Sequence, residues 1–233
     1  MLDPVRAAQE NWTKLSAEDP VFADTVASAM NRCARVAEAL DARFQRMGFP
    51  VNPVRQPPLP DIDDRIATLE RLDAGPVPPQ LVAFWKAVGQ LRFMESTDYA
   101  HVRFWSERGT KGLTGAVVVA GLDDGDLEYL SDEIAAWKED SDGDPFEIPL
   151  APDDLHKDNI SGGAPFVMAA TSRWDERFRF DGWNASIQTG VVDCDLVSYL
   201  RTALLECGGF PGLRGDPAFE RVRADLVAGL EVF

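Results

Sequence analysis

Histidine is nearly absent from this 233-residue chain. The two that occur, His101 and His156, have no second His at the i+4 spacing of a helical zinc site, which argues against a His-based metal centre. Cysteine is also scarce. Cys33, Cys194 and Cys207 form no CxxC pair, and an odd count does not suit a closed disulfide framework, so they read as buried, reduced thiols. No serine lies in a GxSxG elbow, and no glycine-rich loop ends in Gly-Lys-Ser/Thr. The glycines at 208, 209, 212 and 215 follow a helical pattern rather than a strand, so nucleotide binding gains no support and no cofactor is expected. Long apolar runs are missing too. The longest, residues 115–122, falls far short of the roughly 20 residues that cross a bilayer, and the first residues lack a basic start followed by an apolar run. No membrane association and a cytoplasmic setting are the expectation. Basic residues are few, 23 Lys and Arg against 39 Asp and Glu, and the resulting charge of −16 makes DNA and RNA poor partners, because phosphate binding requires cationic neutralisation.

What is present is an ordinary globular composition, 45% hydrophobic and 27% charged, with the acids unevenly placed. Residues 123–144 hold ten acids and one base, Lys138. Such a tract either solvates an exposed loop and helix or forms a negative patch that draws in a basic partner. Calcium is a sharper alternative, but a loop counted from Asp140 puts Pro145 at the glycine position and Ala151 at the glutamate position of an EF-hand. A loop counted from Asp124 fails in the same way, with Tyr129 and Ala135. An EF-hand is excluded, and no metal site is expected.

Apolar residues at 22, 26, 29, 30, 33, 37, 40, 44 and 47 predict a long helix ended by Gly48 and Pro50. Five prolines between 50 and 60 read as a stiff extended linker, so residues 1–60 are expected to form a helical arm ahead of a domain over 61–213. Asp61 is a candidate cap for a helix carrying Ile62, Ile66, Leu69 and Leu72, and Pro78-Pro79 opens another carrying Leu81, Phe84, Trp85 and Val88. Strands are predicted over 115–120, 146–150, 166–170 and 176–180. In the last, Phe178 and Phe180 share one face, Arg177 and Arg179 the other, and Asp181-Gly182 signals a hairpin turn. A helix through Leu196, Leu200, Leu204 and Cys207 ends at Gly208-Gly209, and Asp216-Pro217 starts a final helix, expected to pack on the core as residues 214–233. Helices, then strands, then helices predict an α+β fold with an antiparallel or mixed sheet packed against helices.

The segment 152–165 collects His156, Lys157, Asn159 and Ser161 ahead of Gly162-Gly163. These groups could form a small anion or peptide site. Alternatively, Asn159 and Ser161 bond their own backbone in turns while the glycines adopt positive φ. Asp153-Asp154 beside His156 is where acid-base chemistry would be sought.

The order of parts resembles the SUKH superfamily of bacterial toxin-immunity proteins and a fungal cell-wall-synthesis regulator. The resemblance is carried by the Pro-initiated helix at 78–88, Gly163-Ala-Pro-Phe166, Tyr199-Leu-Arg201 and Gly208-Gly-Phe-Pro-Gly212, and it covers about residues 61–213. Where family members show Asn-Gly-Gly after the helix, this chain has Val88-Gly89-Gln90. The resemblance implies a sheet-and-helix domain that binds other proteins and shares no catalytic residues.

Three functions follow as expectations. The first is an immunity-type inhibitor whose acidic residues, Asp140, Asp142 and Asp144 among them, dock on a basic toxin. The second is a regulatory scaffold whose helix at 22–47 pairs with itself or with another protein while the core serves as a docking platform. The third is a hydrolase or transferase centred on Asp153, Asp154 and His156.

Overall fold

The first helical stripe folds as its spacing predicts. In the computed structural model, which describes residues 21–51, 53–95, 98–140, 143–160, 164–173, 177–180 and 194–233, helix α1 spans Phe22–Arg46. Val26, Met30, Cys33, Ala37, Leu40 and Phe44 are all fully buried along it. Burial pushes the Cys33 thiol far above its ordinary range, and Cys207 is raised to about 11 for the same reason. Gly48, at φ +72°, releases the chain from α1 in a conformation that favours glycine.

The proline segment starts the sheet. Val51 and Val54 are buried, and β1 (Arg55–Gln56) pairs antiparallel with β2 (Gln90–Arg92). Helix α1, expected as an arm, shares one hydrophobic cluster with the strands and helices that follow. Gly89 shows why the chain has glycine at the start of β2. Its φ is +86°, and an added Cβ would lie 2.2 Å from the Gln56 carbonyl oxygen. Between these strands run α2 (Ile62–Arg71) and α3 (Pro79–Ala87). Asp61 precedes α2 as expected but does not cap it. Its carboxylate instead pairs with Arg65 at 2.9 Å, where the guanidinium offers a stronger, charge-assisted bond than the backbone amides.

After β2 come α4 (Ala100–Ser106) and β3 (Val118–Val119), the latter shorter than the expected run over 115–120. Val117 still accepts the Phe93 N–H at 2.8 Å alongside β2, while its own N–H bonds the Gly209 carbonyl at 2.9 Å on the other side. Helix α5 (Asp124–Asp140), β4 (Glu147–Ala151), the short helix α6 (Asp154–Lys157), β5 (Phe166–Ala169) and β6 (Arg177–Phe180) follow. The chain then runs through β7 (Cys194–Asp195) into α7 (Leu196–Leu200). The single helix expected over 196–207 widens into a π turn at Arg201–Glu206, marked by Cys207 N–H bonding the Thr202 carbonyl. Helix α8 (Pro217–Val227) begins at Asp216, whose carboxylate accepts from the amides of Ala218 and Phe219 as its sequence predicts. The hairpin turn expected at Asp181-Gly182 lies outside the described residues, as do residues 1–20 of the expected arm.

The architecture is α+β. Strands run antiparallel in the orders β1-β2-β3 and β4-β5-β6-β7. A single backbone hydrogen bond among the described residues, Ala120 N–H to the Leu150 carbonyl at 2.8 Å, ties the end of one set to the next. The core centres on an aromatic cluster in which Phe44 of α1, Phe93, Trp105 and Phe210 meet mostly edge to face. Gly209 rests on this cluster, and a Cβ there would come within 2.3 Å of the Phe93 ring. Arg43 of α1 closes the far end by donating to the Asp225, Leu226 and Ala228 carbonyls, the exposed acceptors at the end of α8. Arg35 adds a two-pronged contact to Glu231 at 2.9 and 3.1 Å.

Candidate functional site

Strands β3 and β4 diverge beside their one shared hydrogen bond. Pro149 lies in β4 and has no N–H to extend a ladder towards β3. The gap is a cleft of about 340 Å³. Trp85 of α3 and Val118 of β3 form part of its apolar wall, Asp126 and Tyr129 come from α5, and Arg92 and His156 stand at its edges. Pro149, Pro152 and Pro165 narrow it further. The Trp85 indole N–H donates to the Ala120 carbonyl at 3.0 Å, which fixes the ring against the seam.

The α5 side is set by a reciprocal cap. Asp123 Oδ1 accepts the Asp126 amide at 2.9 Å, and Asp126 Oδ2 accepts the Asp123 amide at 3.3 Å, an acid-only version of the capping box. Burial, reinforced by the charge of Asp123, raises the Asp126 carboxyl above the usual carboxylate range. Partial burial, with Glu133 behind it, raises the Tyr129 phenol.

The His156 side is set by α6. Asp153 caps it, with Oδ1 accepting the Leu155 amide at 2.9 Å and the His156 amide at 3.1 Å. One helical turn then sends neighbouring side chains opposite ways. His156 is exposed towards the cleft, while Lys157 is 1% exposed, 3.0 Å from Asp154 and 4.4 Å from the centre of the Phe166 ring. Beneath it, the Lys157 carbonyl accepts from His101 Nε2 at 3.1 Å and His101 Nδ1 accepts the Glu95 amide at 3.2 Å, which places the His101 proton on Nε2. Burial lowers His101 to about 4, so it is neutral at pH 7. Asp158 accepts the Thr114 amide at 2.6 Å and the Thr114 hydroxyl, and burial raises its carboxyl.

The residues singled out in the sequence therefore divide. His156 reaches the cleft. Lys157 faces inward as a structural cation, Asp154 is engaged in its ion pair, and Asp153, which lines the cleft with His156, is engaged in the cap. Asn159 is exposed in a turn at φ +62°, a left-handed backbone conformation that asparagine tolerates. Asp140 is exposed at the last turn of α5 and Asp144 is exposed beyond it, its carbonyl accepting the Trp137 indole N–H at 3.2 Å. Fourteen residues of helix at 1.5 Å each put Asp140 about 21 Å from Asp126. Asp142, Ser161, Gly162 and Gly163 lie outside the described residues.

Trp85, Arg92, Asp126 and Tyr129 were not picked out, because they come from three separate segments. Pro149 inside an otherwise strand-like run was the signal that could have located the seam. Among the described residues, no three His, Cys, Asp or Glu side chains converge as metal ligands, and no helix is long and apolar enough to cross a membrane. The chain matches no family model, no curated protein and no solved structure.

Proposed function

We propose that this chain is a non-catalytic, cytoplasmic protein-binding module, an immunity-type inhibitor that docks a basic toxin on its acidic face. The observation that carries the reading is the outward side of α5. Glu128, Asp132, Glu133, Glu139 and Asp140 are exposed there, and none forms an ion pair among the described residues. The one base of the tract, Lys138, donates to the Leu72 carbonyl at 2.6 Å. An uncompensated row of carboxylates on a rigid helix accelerates encounter with a positive partner and selects against negative ones. The resemblance of residues 61–213 to the SUKH superfamily supports the same reading, as a fold-level analogy. Self-association through α1 has less support, since the apolar stripe that would pair with a second copy is buried in the core.

The test is capture of partners from native cells at low and high salt, compared with a variant carrying Glu128→Lys, Asp132→Lys and Glu133→Lys. A basic partner lost at high salt and lost to the variant is the expected result. A salt-resistant partner that binds both proteins equally would overturn the reading.

A further inference from the structure

We propose that the cleft between β3 and β4 receives one basic side chain of the bound partner, its alkyl stem lying along the apolar wall and its cationic head meeting Asp126 and Tyr129. This rests on the protein-binding reading and adds to it a specific subsite. Arginine and lysine need an apolar channel for the stem and an acceptor at its end. Trp85, Val118, Leu130 and Leu150 supply the first, and Asp126 supplies the second.

Two observations favour a cation over an anion. Asp126 is part-buried in the cleft wall, only one of its oxygens is engaged in the cap, and it has no ion pair within 4 Å among the described residues. Neighbouring Asp124, by contrast, is held by Arg65 at 2.7 Å. Arg92, the cation on the rim, attracts Asp126 from beyond ion-pair distance, but it is exposed, so water screens its charge and weakens its hold on that carboxylate or on any other. The partly desolvated charge of the cleft is therefore negative. Asp126 bears a cost of burial that an incoming guanidinium or ammonium would relieve.

The experiment needs no partner. N-acetyl-arginine amide is titrated into the full chain, followed by NMR through the Trp85 indole N–H and the Gly121 amide, with N-acetyl-norleucine amide and N-acetyl-glutamate amide as comparisons. Saturable shifts with the arginine probe, weakened about tenfold or more by Asp126→Asn, are expected, because a charge-assisted bond is worth roughly 1.5–3 kcal/mol. Asparagine at 126 can still accept the Asp123 amide, and an unchanged unfolding midpoint verifies that the fold is retained. Equal binding of norleucine and arginine probes, preference for the glutamate probe, or arginine shifts unaffected by Asp126→Asn would overturn the proposal. Absence of any saturable shift would overturn it as well. A charge-dependent partner without probe binding removes only this subsite, whereas probe binding without a charge-dependent partner leaves the cleft chemistry standing and removes the docking reading.

Discussion

The surroundings of Lys157 and the outward face of α5 use the same kinds of side chain under opposite conditions. Around Lys157, each polar group is buried and held by a named neighbour: Asp154 to the ammonium, the Lys157 carbonyl to His101, Thr114 to Asp158. Along α5, Glu128, Asp132, Glu133, Glu139 and Asp140 face water with no ion pair among the described residues. Charge that is buried is coupled to folding, because removing one member strands its neighbour in a low dielectric. Exposed charge is nearly decoupled from folding and remains available for association.

The contrast breaks first at Lys157. Lys157→Met removes the cation from a buried carboxylate and is expected to lower stability by about 3–5 kcal/mol, measured by chemical denaturation. A loss below about 1 kcal/mol would place this pair with the surface charges.

His101 sharpens the contrast through pH. Its folded value of about 4 lies below the ordinary 6.5, so between the two the unfolded chain binds more protons. Stability from this group is complete above pH 6.5 and falls as pH drops towards 4, by about 3 kcal/mol in all. Asp158, raised above its ordinary 3.8, acts in the opposite sense within the carboxylate range, where protonation favours the folded state and offsets part of the loss. A series of unfolding curves from pH 7 to pH 4 should show the decline, and His101→Gln should flatten it.

Thr114→Val removes the hydroxyl that Asp158 accepts while leaving the backbone amide in place, with an expected cost of about 1–2 kcal/mol by denaturation. The smallest effect belongs to α5. Neutralising Asp132, Glu133 and Asp140 to Asn or Gln should move stability by less than about 0.5 kcal/mol each. The same variant should bind a basic partner more slowly and with a flatter salt dependence in stopped-flow measurements.

How far each region could be read from sequence depended on whether its cause was local. The stripe of α1, the proline start of α3 and the Asp216-Pro217 start of α8 are written within a few consecutive residues, and all three elements appear where expected. Asp61 misled because Arg65, one turn away, competes for its carboxylate. The proline segment looked like a spacer because its partner, β2, lies about thirty-five residues on. In the candidate site the loop at 152–165 stood out by composition, yet composition cannot tell that α6 turns His156 outward and Lys157 inward. The cleft itself depends on how three distant segments meet, and only Pro149 hinted at the opening between them.

The clasp of α1 on the end of α8 carries a consequence for biosynthesis. Arg35 and Arg43 find Glu231 and the last carbonyls of α8 almost two hundred residues after they are translated. A chain emerging from the ribosome can therefore bury the apolar stripe of α1 against α3 and β1 before α8 is made, in line with domains folding from the N-terminal side, but cannot close the Arg35 and Arg43 clasp until α8 is released. A nascent chain stalled before Pro217 should be cleaved by trypsin at Arg35 and Arg43 more readily than the full chain, and release of α8 should end that sensitivity.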